Sequence, residues 1–86
     1  MKDYVSFQKL LDEQYSWPAV YPFKFIVPRA SSEKLLAVFE SREGVSVRES
    51  GKGNYISVTA NVIMPSSAGV IAVYEAVAEI EGIISL

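Results

Sequence analysis

The chain has 86 residues, half of them apolar, with eight basic and ten acidic side chains and a net charge of −2. That length suits one small domain and not two, and the apolar content is too high for a disordered chain. There is no Cys and no His, which excludes disulfides, thiolate or imidazole metal sites, a Cys nucleophile and a His general base.

The basic residues Lys24, Arg29 and Lys34 form a thin scatter, not the stripe that releases counterions from a phosphate backbone. The charge balance therefore argues against duplex nucleic acid as a partner. No apolar run approaches the roughly 18 residues of a membrane span. No charged start leads into an apolar run with a cleavage site, so no signal peptide is expected and the chain is assigned to the cytoplasm. A domain of this size is expected to be stable by about 4–13 kcal/mol.

In chain order, Tyr4 to Gln14 places Phe7, Leu10 and Leu11 at spacings of three and four, which predicts a short helix leaning on the domain edge. A partner-binding arm is the functional alternative. Gln14 to Pro22 contains Trp17-Pro18 and Tyr21-Pro22, and each proline drives its predecessor into an extended conformation. This reads as a non-regular link, with Trp17 over the end of the core or exposed for docking. Phe23 to Pro28 alternates, Phe23, Phe25 and Val27 inward and Lys24 and Ile26 outward, the first strand. Ser31 or Ser32 then caps a helix from Glu33 to about Ser41 that buries Leu35, Leu36, Val38 and Phe39. Arg42 suits its C-terminal end and Gly44 its left-handed stop.

Val45 to Glu49 is the second strand, and the glycine-bearing Ser50–Asn54 turn makes a hairpin with the third. In that third strand Ile56, Val58, Ala60 and Val62 face one way and Tyr55, Ser57, Thr59 and Asn61 the other. Pro65 ends it. Ser66 or Ser67 caps a second helix running to about Glu81, with a stripe of Val70, Val73, Tyr74, Val77 and Ile80 that leaves Ile71 outside. Gly82 stops that helix, and Ile83–Leu86 is the last strand. The order after the leading helix is β-α-β-β-α-β. It predicts an α+β, ferredoxin-like plait: a four-stranded antiparallel sheet in the order 4-1-3-2 with both helices on one face. Residues 1–20 are the N-terminal helix and link, and 21–86 the plait, in one domain.

The sharpest local motif is Ser50 to Tyr55. Its glycines and Lys52 could offer backbone N–H groups and a cation to a phosphate or carboxylate. It lacks the P-loop spacing, and a strand follows where a helix is needed, so a plain hairpin with Gly at positive φ is the simpler reading. Arg29 lies where acylphosphatases hold phosphate, with Asn54 or Asn61 for the water. No glycine-rich cradle accompanies it, which disfavours hydrolysis. The candidate ligand or partner contacts are thus Arg29, Lys52, Gly53, Asn54 and Tyr55. The open sheet face would carry Lys24, Ile26, Ser46, Arg48, Tyr55, Ser57, Thr59 and Asn61. With Tyr55 near one end and no aromatic across from it, that face is a poor base-stacking platform. Asp12-Glu13, Glu79 and Glu81 read as solvated helix faces without hard-cation loop spacing. No catalytic residue, cofactor or metal ligand is expected.

Ser50-Gly51-Lys52-Gly53-Asn54-Tyr55, with Ser57-Val58, Val73-Tyr74-Glu75, the Ile80–Leu86 end, Leu10-Leu11 and Trp17-Pro18, resembles the YbeD-like bacterial family of unknown function. The likeness covers nearly the whole chain. Pro28-Arg29 departs from it, standing where a Gly is common. The resemblance implies a small plait similar in shape to amino-acid-sensing ACT domains, and it brings no catalytic residues. The expected role is a non-catalytic regulatory or protein-interaction module. The alternative is an ACT-like sensor that binds a small metabolite at the seam of a homodimer formed through a sheet edge, Val45–Glu49 or Ile83–Leu86.

Overall fold

The computed structural model describes residues 4–39, 43–49 and 53–86. Its spine is an antiparallel pair, β1 (Ala19–Pro28) and β3 (Tyr55–Met64), matched from Ala19 opposite Met64 to Pro28 opposite Tyr55. β2 (Val45–Glu49) pairs the outer side of β3, and β4 (Ile84–Ser85) pairs β1 at Phe25 and Ile26. All neighbours are antiparallel, in the order β2-β3-β1-β4; counted from the β4 edge this is 4-1-3-2. With α1 (Val5–Gln14), α2 (Ser32–Val38) and α3 (Ser67–Val77), the fold is α+β. Among the described residues no helix is long and apolar enough to cross a membrane.

Period-two alternation sorts the sheet into two faces. Phe23, Ala60 and Val45 form one row, Phe25, Val58 and Val47 the next, and Val27, Ile56 and Glu49 the third. Phe23, Phe25, Val27, Val58 and Ala60 are fully buried, and they share one cluster with Leu11, Leu35, Phe39, Val70, Ile71, Val77 and Ile80 from the helical side. The expected parity of Ile56, Val58 and Ala60 is the observed one. Phe23 is the hub of the aromatic packing, 6.2 Å from Phe25, 5.6 Å from Phe39 and 5.5 Å from Tyr74 between ring centroids.

The first strand begins at Ala19, not at Phe23, so the division between link and plait falls before Ala19. Pro22 sits inside β1 opposite Asn61. β4 reaches only Phe25 and Ile26, so at Pro22 the strand has a partner on one side and tolerates the missing N–H. The Trp17-Pro18 peptide is cis. Trp17 is half-buried, stacked on Tyr15 at 5.3 Å, and its Nε1 donates to Asp12 at 2.9 Å.

The helices depart from expectation at their edges. On α1 Leu11 is buried and Phe7 meets Tyr74 at 5.7 Å, but Leu10 is 55% exposed. α1 leans chiefly on α3, so only a narrow stripe of it is covered. α2 ends at Val38, short of Ser41, and a 3-10 turn over Arg29–Ser31 precedes it. Ser31 is its N-cap residue but makes no side-chain capping bond; Ser32 Oγ instead donates to the Arg29 carbonyl at 2.9 Å. Gly44, at φ +78°, does not stop α2; it stands directly before β2, and its carbonyl accepts from Asn61 N at 2.9 Å. Arg42 lies outside the described residues.

α3 ends at Val77, well before Glu81, and Gly82 takes its positive φ in the turn that follows rather than at the helix end. Ile71 is buried at 8% exposure, against expectation. The buried column is Ser67, Val70, Ile71 and Val77 with half-buried Tyr74, and Val73 lies at its edge. α3 meets α1, α2 and the sheet, so its buried arc is wider than a single stripe and includes Ile71. Ser66 caps α3 as expected, accepting from Gly69 N at 3.1 Å. Ser66→Ala should therefore cost about 1 kcal/mol, read as a lower urea midpoint with unchanged slope. The last strand is shorter than Ile83–Leu86, although Leu86 N still donates to the Lys24 carbonyl at 2.9 Å.

Candidate functional site

Pro28 opposite Tyr55 brings the end of β1 to the β2–β3 turn. Arg29 then ties the two together. Its backbone N–H donates to the Asn54 carbonyl at 3.0 Å, its Nε donates to the Gly53 carbonyl at 2.6 Å, and its Nη2 lies 2.8 Å from Glu49 Oε1. The structure thus gathers Arg29, Gly53, Asn54 and Tyr55 at one corner of the sheet, and Lys52 lies outside the described residues. Gly53, at φ +71°, has the left-handed backbone the hairpin reading requires. The Arg29–Glu49 pair is half exposed, so solvent screens it and it contributes about 0–1 kcal/mol. With Nε and Nη2 both engaged inside the chain, Arg29 serves as a clasp on the turn, and the phosphate-holding role weighed for it loses its free cation.

The opposite face of the sheet has no described element packed over it. The register places Val20 beside Ile63, Pro22 beside Asn61, Lys24 beside Thr59 and Ser46, Ile26 beside Ser57 and Arg48, and Pro28 beside Tyr55. All the residues expected on the open face are therefore there. Sequence reasoning missed Val20 and Ile63, which are 53% and 71% exposed and directly opposed. Carrying the alternation of β3 on to Ile63, and of β1 back to Val20, is the signal that finds them. Lys24, Ser46, Arg48, Ser57 and Thr59 line a shallow basin of about 350 Å³. A second hollow of about 400 Å³ lies at the far end, under Val20, Glu43, Asn61 and Ile63.

A cavity of about 420 Å³ opens on the helical side between α1, the end of α3 and β4, lined by Tyr4, Phe7, Tyr74, Ile80, Gly82 and Ser85 among others. The Tyr74 hydroxyl lies 3.4 Å from that of Tyr21. Burial first, then the hydrogen bond and charge of Tyr21, push the Tyr74 phenol well above the ordinary tyrosine range, so it stays neutral. The helical stripe containing Tyr74 was visible in the sequence; its meeting with Phe7 needs the docking of α1. Among the described residues no group of acidic side chains converges to hold a metal ion.

No significant match to the chain is found among curated proteins or among solved structures. The family model described as "Protein of unknown function (DUF493)" matches residues 12–86, from the end of α1 through β4. The match takes in the whole sheet, the clasped turn and the open face, and on it the chain belongs to DUF493, the YbeD-like family of unknown function.

Proposed function

We propose that the protein is a non-catalytic interaction module, a ferredoxin-like plait that holds a partner protein across the open face of its sheet. The observation that carries this is the composition of that face. Along its length it carries the exposed side chains of Val20 and Ile63 at one end, Tyr55 at the other and Ile84 on the β4 edge, with Lys24 and Arg48 between, a mixture of apolar, aromatic and Arg side chains found in interfaces. The test is crosslinking mass spectrometry in the source cell, comparing the wild-type chain with an Ile63→Asp, Ile84→Asp double variant. Both positions are exposed, so the variant should keep its stability within about 0.5 kcal/mol per site. Partner crosslinks should map to the sheet face and vanish in the variant. Crosslinks that persist, or that map to the helices, reject the reading.

A specific feature favours a second reading, a metabolite sensor. The cavity beside Tyr74 has the size of a small-molecule site and a lining of aromatic rings with a few hydroxyls. It adjoins β4, so a homodimer paired along that edge would set it at the seam. A sensor should gain a thermal shift with particular amino acids and sediment as a dimer at micromolar concentration. A monomer without any shift leaves the interaction module.

A further inference from the structure

We infer that the open face binds an extended acidic segment of its partner, with two carboxylates four residues apart seated on Lys24 and Arg48. The inference rests on the open-face reading and names the chemistry recognised there. The charged residues on the strands are Lys24, Arg48 and Glu49, and Glu49 shares the row of Val27 and Ile56 on the helical side, where Arg29 meets it. The strand residues of the open face thus present two cations and no carboxylate. The acids Asp12, Glu13, Glu33, Glu75, Glu79 and Glu81 all lie on or beside the helices. A chain of net charge −2 has its sheet face locally positive.

The register sets the span. Lys24 stands opposite Thr59, which stands opposite Ser46; Ile26 stands opposite Ser57, which stands opposite Arg48. Lys24 and Arg48 are therefore diagonal corners two strands apart, with Ser57 and Thr59 between them. Strand spacing and rise put their Cα atoms about 12 Å apart. An extended chain covers about 13 Å between residues i and i+4, and those two side chains point the same way. Lys offers a point charge, Arg a fork for a carboxylate, and Ser46, Ser57 and Thr59 add hydroxyl donors at the basin floor. Beyond Lys24, Leu86 is held by its N–H on the Lys24 carbonyl and is exposed, ready for an apolar residue that precedes the acids. The basin at the Lys24–Arg48 end is lined by no acidic side chain, whereas Glu43 lines the far hollow, which sets the site at the Lys24–Arg48 end. A nucleic-acid backbone fits less well, because two cations on an acidic chain release few counterions and Tyr55 has Pro28, not an aromatic, opposite it.

The test is NMR titration of the full isotope-labelled chain with the capped peptide Leu-Ala-Glu-Ala-Ser-Ala-Glu at low salt. Amide shifts should centre on Lys24, Arg48, Ser57 and Thr59. Affinity should fall severalfold at about 0.15 M salt, and about tenfold or more in a Lys24→Ala, Arg48→Ala variant. Equal binding of the peptide with Gln for both Glu, at the same amides, rejects carboxylate recognition while the open-face reading stands. Shifts confined to the helices or the β2 edge reject both. No shift with either peptide rejects the acidic segment, as does tighter binding of oligouridylate on the same face, or self-association that shifts these amides without peptide.

Discussion

Val58→Asp should leave the chain unfolded at 25 °C, with no dispersed amide spectrum and a coil-like far-ultraviolet signal. Val58 is fully buried at the centre of β3, opposite Phe25 on one side and Val47 on the other. The change removes about 1.5–3 kcal/mol of side-chain burial. It also puts a carboxyl group into the apolar core cluster beside Phe25 with no polar partner, a cost of several kcal/mol even after it takes up a proton. Together these come to about 4–10 kcal/mol, most of the roughly 4–13 kcal/mol available to a chain of this length. Burial raises the pKa of such a carboxyl in the folded state. Any folded fraction should therefore grow as pH falls and shrink as pH rises through that raised value. Thr59→Asp, one position along, is the control. Thr59 is only half-buried, on the open face opposite Lys24, where an acid gains an opposite charge across the strands. It should fold with its stability changed by less than about 1 kcal/mol. An unfolded Thr59→Asp beside a folded Val58→Asp would turn the sheet over.

That contrast rests on the part of the molecule most legible in its residues. Period two is a local backbone property, so the faces of β3 and the bounds of Val45–Glu49 could be read without knowing what packs where. The features that escaped depend on neighbours distant in sequence. Pro22 is a strand residue only because β4 is too short to pair there. Ile71 is buried on a helix that meets α1, α2 and the sheet, and a hydrophobic stripe does not reveal the arc such neighbours cover. The candidate corner follows the same division. Arg29, Gly53, Asn54 and Tyr55 could be picked as loop and turn residues, and the fold does bring them together. The use of Arg29 as a clasp requires the register that sets Val27, Ile56 and Glu49 in one row, which no local pattern contains. Val20 was lost by reading β1 as starting too late, and Ile63 by carrying the alternation of β3 no further than Val62 although its end at Pro65 was read correctly.

Gly44→Ala should destabilise the fold by about 2–5 kcal/mol, combining left-handed strain with a backbone clash. Gly44 has φ +78°, and a Cβ there would be driven into the Asn61 carbonyl oxygen. That neighbour is backbone of β3 and cannot rotate aside; it is also locked to the same residue, since Asn61 N–H donates to the Gly44 carbonyl at 2.9 Å. The turn entering β2 and the end of β3 must therefore separate, and β2 leaves the sheet edge first. Gly53→Ala isolates the clash from the strain. Gly53 has nearly the same φ, +71°, but the nearest atom to its Cβ is the Nη2 of the half-exposed Arg29 side chain, at 3.2 Å. That group can shift, so the second variant should lose only about 1–2 kcal/mol. Urea midpoints measure both losses, and amide exchange at Asn61 should quicken only in Gly44→Ala. Because Gly44 and Asn61 also wall the hollow under Val20 and Ile63, partner crosslinks at that end should weaken with it. Equal losses in the two variants would mean that no close approach joins Gly44 to Asn61, and that β2 does not begin where the sheet now places it.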